Sequence, residues 1–301
     1  MVAMRTRRLL ALALVLTAAG CRAPRPHTGT GDTVLSVQGR VVGGAARFGK
    51  DDLAQLPRQA LRGTDPRGGA EASFTGIALQ KLLGEALELD RGADLVVVSG
   101  KDGYEMAIPL SVLRQHRPVL ADTVDGVPLA QARPASAPLL LAWPTADSPG
   151  LATDPRARWW WVDGVTKLEV RSWLGTYGRA LRVPPGAAGE ARPGADAFQS
   201  DCIMCHRVRG TGGRRGPELT ERLAAPEAQE AFAAAIRSHA RLPEAAPVAE
   251  TSPAAVRAIG SFLRAVAISG AGLPQDEPPQ EPMGNQQAPP GSVGPTRPPG
   301  M

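Results

Sequence analysis

The segment "SDCIMCHRVRG", residues 200–210, is the most informative stretch of this 301-residue sequence. Its Cys-x-x-Cys-His pattern is the attachment signature of a c-type haem. In such a site Cys202 and Cys205 would hold the porphyrin by thioethers, and His206 would bind the iron from one side. We therefore predict one covalent haem c. The open question is which group binds the iron from the other side.

A Cys-x-x-Cys pair alone also occurs in zinc sites and in redox pairs. Structural zinc needs four ligands, and only Cys202, Cys205, His206 and His239 make a formal set of four. Adjacent Cys205 and His206 are poorly spaced to share one tetrahedral site. A thioredoxin-like pair requires the motif between a strand and a helix of a βαβ unit, which the sequence pattern does not predict here. Haem attachment is therefore the favoured interpretation.

Helical segments surround the motif. "GADAFQSDCIMCH" predicts a helix with Phe198 one turn before Cys202, and "TSPAAVRAIGSFLRAV" predicts a terminal helix with Ser252 as N-cap and Pro253 at its first position. The apolar face of the terminal helix comprises Val256, Ile259, Phe262, Leu263 and Val266. Residues 194–269 resemble a class I cytochrome c domain. The resemblance implies a small all-α domain that transfers one electron, with His206 as the proximal ligand.

The distal side departs from that family. The family's Met-Pro pair falls where this chain has Leu242-Pro243, and leucine has no donor atom. Met204 lies inside the attachment loop, whereas Met283 and Met301 lie in the C-terminal tail. His239 is then the candidate distal ligand, which would give a bis-His haem with a lower potential than His/Met ligation. The alternatives are a five-coordinate or water-bound iron, with His239 exposed at a helix end.

The N-terminal part, residues 33–182, predicts a mixed α+β domain. The segments "VLSVQGRV", "DLVVVSG", "YEMAI", "PLLLAW" and "VTKLEV" are typical of strands. "KDDLAQL" predicts a short helix. "TGIALQKLLGEAL" predicts another helix, and its apolar face comprises Ile77, Leu79, Leu82, Leu83 and Leu87.

Several of these segments resemble the molybdopterin-binding oxidoreductase domain of the sulfite oxidase superfamily. The matching pieces are "SVQGRV", "DDLAQLP", "SFTGIALQKLL", "VVSGKDGYEMAIPLSVL" and "RWWWVDGVTKLEV". In that family a cysteine before the "TG" element binds molybdenum. The corresponding stretch here, "LRGTDPRGGAEASFTGIAL", contains none, and no cysteine occurs from residue 22 to 201. The resemblance therefore implies the fold, while molybdopterin as a cofactor is doubtful.

Three further groups of residues each have more than one interpretation. Asp102 and Tyr104 are candidate site residues, but a turn aspartate with a packed tyrosine is favoured. The three tryptophans at 159–161 fit core and edge packing better than a cofactor box. The arginines at 207, 209, 214 and 215 could dock an acidic redox partner, hold a haem propionate, or form a solvated loop.

The N-terminus predicts an export signal. Three arginines at positions 5, 7 and 8 precede an apolar run at 9–19, which is too short to span a bilayer. Small residues then lead to Cys21, an arrangement that resembles a bacterial lipoprotein signal, although that family usually has Leu where Ala18 stands. We expect residues 1–20 to be the signal peptide and Cys21 to be lipidated, which makes the protein periplasmic and membrane-anchored. Simple cleavage nearby and a retained anchor are the alternatives.

Three segments predict non-globular structure. Residues 21–32 form a tether, residues 183–193 form a linker rich in Pro, Gly and Ala, and residues 270–301 form a disordered Pro-rich tail. With Cys21 lipidated and the other two cysteines on haem, no thiol remains for a disulfide. The net charge of +5 comes without a dense basic run interleaved with aromatics, so we expect no nucleic-acid binding.

These features predict an electron carrier that passes single electrons between periplasmic redox partners. One alternative is an oxidoreductase, whose N-terminal domain oxidises a small substrate and passes the electrons to the fused haem. A second alternative is a haem-based gas sensor, which requires an open distal site.

Overall fold

A computed structural model describes residues 32–66, 69–154, 157–187, 189–213, 216–220, 231–232, 234–236 and 252–270. The predicted signal peptide, most of the tether and the lipidation site Cys21 lie outside the described residues. The same is true of His239, of Leu242-Pro243 and of the C-terminal tail from residue 271.

Two five-stranded sheets form the N-terminal domain. The first sheet contains, in spatial order, β2 (Ala46–Phe48), β1 (Leu35–Gly39), β10 (Val165–Arg171), β5 (Leu95–Gly100) and β6 (Glu105–Pro109). The second sheet contains β3 (Arg58–Thr64), β4 (Glu71–Ala78), β7 (Val119–Val124) and β8 (Val127–Pro128), with β9 (Leu140–Ala142) also paired to β7. Strands β1 and β10 are parallel, and every other described pair in the two sheets is antiparallel.

Short helices connect the strands. They are α1 (Lys50–Ala54), α2 (Leu79–Lys81, continued by a π-helical turn at Leu82–Ala86), α3 (Leu110–His116), α4 (Leu129–Ala132), α5 (Pro149–Thr153) and α6 (Trp173–Tyr177). The predicted α+β class of this domain is confirmed. No described helix is long and apolar enough to cross a membrane.

One predicted helix begins later than its apolar pattern indicates. Ile77 lies in β4 instead, where it is paired to Arg58 of β3 and to Leu120 of β7. A central strand satisfies its backbone hydrogen bonds on both edges, so pairing with the sheet outweighs the local helical pattern. Ile77 and Leu79 are nevertheless fully buried, as the hydrophobic pattern predicted.

The main core lies between the two sheets. Its aromatic members include Phe48, Phe74 and the tryptophans at positions 143 and 159–161. Tyr104 donates its hydroxyl hydrogen to the carbonyl of Trp159 (2.9 Å), and the Asp102 carboxylate accepts the N–H of Tyr104 (2.9 Å). The packing role of the tryptophans and the turn role of Asp102 are therefore confirmed.

The C-terminal unit is built on two crossing helices, α7 (Ala191–Asp201) and the terminal helix (Pro253–Gly270). A side chain at Gly194 would overlap the carbonyl of Ala258, so the glycine permits the close approach of the two backbones. The rings of Phe198 and Phe262 pack beside this crossing, with centroids 5.8 Å apart. The predicted helices around the motif are confirmed.

The start and the buried face of the terminal helix also agree with the sequence. Ser252 Oγ accepts the N–H of Ala255 at 3.2 Å, so the predicted N-cap is confirmed. All five predicted residues of the apolar face are buried: Val256, Ile259, Phe262, Leu263 and Val266.

Candidate haem-attachment site

The Cys-x-x-Cys-His motif forms a compact turn at the end of α7. The N–H of Cys202 donates to the carbonyl of Phe198 (2.9 Å), which continues the helical pattern for one more residue. The N–H groups of Cys205 and His206 both donate to the carbonyl of Cys202, at 3.0 and 2.8 Å. Both cysteines and the histidine are therefore held in one short loop, as the motif predicted. A two-stranded hairpin follows, made of β11 (Arg207–Val208) and β12 (Thr211–Gly212).

A backbone carbonyl orients the histidine. His206 Nδ1 lies 3.0 Å from the carbonyl oxygen of Pro217. A carbonyl can only accept a hydrogen bond, so Nδ1 carries the proton and Nε2 of the neutral ring carries the lone pair. Metal-binding histidines are usually oriented by such a bond from the second ring nitrogen, which also increases ligand basicity. The arrangement fits a proximal haem ligand.

Glycines allow the following chain to fold tightly around the motif. A Cβ at Gly216 would overlap the imidazole ring of His206. A Cβ at Gly213 would overlap the carbonyl of Met204, and one at Gly212 would overlap the carbonyl of His206. Gly212 also has a φ of +136°, which L side chains rarely adopt. The sequence shows these glycines and Pro217 but does not reveal that they pack around His206.

The two cysteines are thiols in the structure and are not joined by a disulfide. Burial, assisted by the nearby Asp201 and Cys205, raises the pKa of Cys202 to about 12. Redox-active and zinc-binding cysteines instead need a readily formed thiolate. No group of three or more His, Cys, Asp or Glu in the described residues is arranged to hold a metal ion.

Arg209 has a structural role that the sequence did not predict. Its φ is +51°, and its guanidinium donates to the carbonyls of Arg179 and Arg182 (both 3.3 Å) and to Ser269 Oγ (2.8 Å). Burial, together with the charges of Arg179 and Arg182, lowers the pKa of Arg209. Arg209 therefore ties the hairpin to the end of the N-terminal domain and to the terminal helix. Arg207 has a buried Nε without a hydrogen-bond partner among the described residues.

An ion pair with a buried carboxylate lies at the start of the segment "LRGTDPRGGAEASFTGIAL". Asp65, directly after β3, is only 7% exposed and lies 3.3 Å from the guanidinium of Arg133. The same guanidinium stacks on Phe74, 5.4 Å from the ring centroid. No thiol is available in this domain, because the sequence has no cysteine between residues 22 and 201.

The fold and the motif geometry together define a haem-c domain joined to an α+β domain. Residues 191–267 match the family model of cytochrome c, so the predicted cytochrome c domain is confirmed.

Among solved structures, 16 chains match. One of them is the sulfane dehydrogenase SoxCD from Paracoccus pantotrophus, with 17% sequence identity and a TM-score of 0.37. The match covers 48% of this chain and 40% of that chain. A search of the curated proteins found no match.

Proposed function

We propose that this chain is an exported one-electron carrier that holds one haem c through Cys202 and Cys205. The hydrogen bond from His206 Nδ1 to Pro217 is the observation that carries the proposal, because it directs the Nε2 lone pair toward a metal beside the two cysteines of the motif. Bound haem c would supply the chemistry by cycling its iron between the ferric and ferrous states. Cys202 and Cys205 would attach the porphyrin, and the Pro217 carbonyl would orient the His206 imidazole toward it.

We further propose that His239 binds the iron from the distal side. This assignment rests on the sequence, which offers no methionine at the usual place and no lysine after residue 167. Nitrogen ligation on both sides would give a lower reduction potential than His/Met ligation.

Absorption and resonance Raman spectra of the full-length holoprotein test the distal ligand. We expect low-spin spectra in both oxidation states for the natural sequence. We expect His239→Ala to give a high-spin ferric haem that binds carbon monoxide readily once reduced. His116→Ala, in the N-terminal domain, is the matched control and should leave the spectra unchanged. A bis-His spectrum that survives His239→Ala would refute the assignment, and carbon monoxide binding to the natural sequence without ligand displacement would favour the gas sensor.

We infer that the N-terminal domain works without molybdenum and serves the haem domain as a scaffold. The absence of cysteine from residues 22–201 supports this inference, and so does the ion pair of the buried Asp65 with Arg133. Metal analysis of the purified protein should find one iron per chain and no molybdenum. Stoichiometric molybdenum would instead support the oxidoreductase that oxidises a small substrate.

We propose a lipid anchor at Cys21, which would hold the carrier at a membrane facing the periplasm, where its redox partners are found. The support is the order of basic, apolar and small residues before Cys21. Cys21→Ala should move the haem-containing protein from the membrane fraction to the soluble fraction. An unchanged distribution between the fractions would contradict the lipid anchor.

A further inference from the structure

The first sheet contributes side chains to two separate cores. Along β5 and β6, Val96, Val98, Met106 and Ile108 belong to the core of the N-terminal domain. The alternate residues of the same strands are Leu95, Val97 and Ala107. They belong to the core of the C-terminal helical unit, which carries the haem motif and is called the haem unit below. Successive side chains of a strand point to opposite faces, so the outer face of this sheet carries an apolar strip. The strip is buried: the exposed fractions of Leu95, Val97 and Ala107 are 0%, 6% and 7%.

The strip shares one buried cluster with residues of the haem unit. Phe198 of α7, Ile203 of the attachment loop and Phe262 of the terminal helix share a cluster with Val97. Met204, which stands between the two haem-binding cysteines, packs against both the haem-unit core and the core of the N-terminal domain. The attachment loop is therefore part of the contact between the two domains.

Hydrogen bonds join the two domains at the edge of this apolar contact. Arg209, just after the motif, donates hydrogen bonds to the carbonyls of Arg179 and Arg182, which follow α6 at the end of the N-terminal domain. Tyr177 of α6 is 4% exposed and belongs to the haem-unit core. Its ring packs on Trp173, with centroids 4.6 Å apart. Residues before the linker and residues after it therefore both take part in the contact between the two domains.

We propose that the N-terminal domain is the docking partner of its own haem unit and that the two unfold as one cooperative body. Docking closes the Met204 side of the attachment loop to outside redox proteins, so these must exchange electrons with the haem through another face. The linker then serves as a connection between two docked surfaces and does not act as a flexible tether. The proposal goes beyond the assignment of an electron carrier and uses the haem only as a spectroscopic label.

Cleavage of the linker in the folded, full-length holoprotein tests the docking. A protease site inserted after Gly186 is suitable, because Gly186 is an exposed residue of the linker. All five tryptophans lie before the cut and the haem motif lies after it, so tryptophan absorbance and the haem band label different fragments. We expect the two fragments to elute together after cleavage. Separate elution of fragments from the natural sequence would overturn the proposal.

The apolar strip provides matched variants. Val97→Asp places a charge on the buried strip, and we expect its cleaved fragments to separate while the haem spectrum is retained. Val42→Asp is the control, because Val42 is 54% exposed on the N-terminal domain, and its fragments should still elute together. Ala107→Asp tests the same face if Val97→Asp does not fold. Co-elution in both strip variants would overturn the proposal, whereas loss of the haem band in the natural sequence would instead contradict the proposed function.

Discussion

At the residue scale, the histidine of the motif depends on residues that follow it by about ten positions. The Pro217 carbonyl fixes the proton on Nδ1, and Gly216 leaves room for the ring. The motif itself predicts that Cys202, Cys205 and His206 act together. It does not identify the orienting carbonyl, because that contact forms only when the loop after β12 folds back over the ring.

Gly216→Ala should disturb the axial histidine. The new methyl group would overlap the imidazole, so either the ring or the loop must move, and overpacking of this kind costs about 1–3 kcal/mol. We expect a smaller fraction of low-spin haem and a lower unfolding midpoint, measured by resonance Raman and by the haem band during urea unfolding. Gly189→Ala is the control, since an added Cβ there meets nothing within 4 Å. Identical spectra for both variants would show that the loop adapts without effect on His206.

At the scale of elements, an ion pair joins β3 and β7 of the second sheet across the strand that lies between them. Arg58 of β3 donates to both carboxylate oxygens of Asp122 of β7, at 2.8 and 2.5 Å, and β4 lies between the two strands. Burial opposes ionisation of Asp122, but the hydrogen bonds from Arg58 and Thr123 outweigh it, so the pKa of Asp122 lies below its usual 3.8. The pair therefore stabilises the folded state when Asp122 is ionised.

Asp122→Asn should reduce stability in a pH-dependent manner. Because the folded-state pKa is lowered, the stabilisation is fully present above the unfolded-state value and is lost as the pH falls through the folded-state value. Both side chains are about one-third exposed, so we expect a loss of about 0.2–1 kcal/mol at pH 7. Urea unfolding at pH 7 and in strong acid measures this difference. A deficit that persists unchanged in strong acid would mean that the charge is not its source.

The sequence predicted the type of most elements but not every boundary. The apolar pattern of "TGIALQKLLGEAL" indicates a helix throughout, whereas its first four residues, 75–78, complete β4. Hydrophobic spacing indicates which residues are buried. Ile77 and Leu79 are buried as the spacing predicts, although Ile77 lies in a strand and not in a helix. Which backbone partner each residue takes depends on β3 and β7, which are distant in the sequence.

At the scale of the whole molecule, one sheet supports both domains. Strand β5 is buried along its full length, and its apolar residues belong alternately to the N-terminal core and to the cluster shared with the haem unit. Its first four residues, "LVVV", are a continuous apolar run, as expected of a strand buried on both faces. The run indicates burial but does not indicate that the second covering layer is the haem unit.

Val97→Lys should destabilise the full chain. The charge would be buried without a partner in the cluster that contains Phe198 and Phe262, and we expect a loss of about 2 kcal/mol or more in the free energy of unfolding. Urea unfolding of the full-length protein measures the effect. Val42→Lys is the control and should leave the free energy of unfolding unchanged, because Val42 is 54% exposed. Equal stability of the two variants would contradict the burial of this strip.

The sequence by itself predicted the chemistry, which is a covalent haem c at Cys202 and Cys205 with His206 as the proximal ligand. It also determined two helices around the motif and a cysteine-free α+β domain before it. These conclusions follow from residue identity, short spacing and hydrophobic periodicity, which are local properties of a chain. Only the tertiary structure decided that Pro217 orients His206, that Arg209 binds the end of the N-terminal domain, and that Leu95, Val97 and Ala107 belong to the haem-unit core. Such contacts arise when segments distant in sequence exclude water together, and neither partner's own sequence specifies the other.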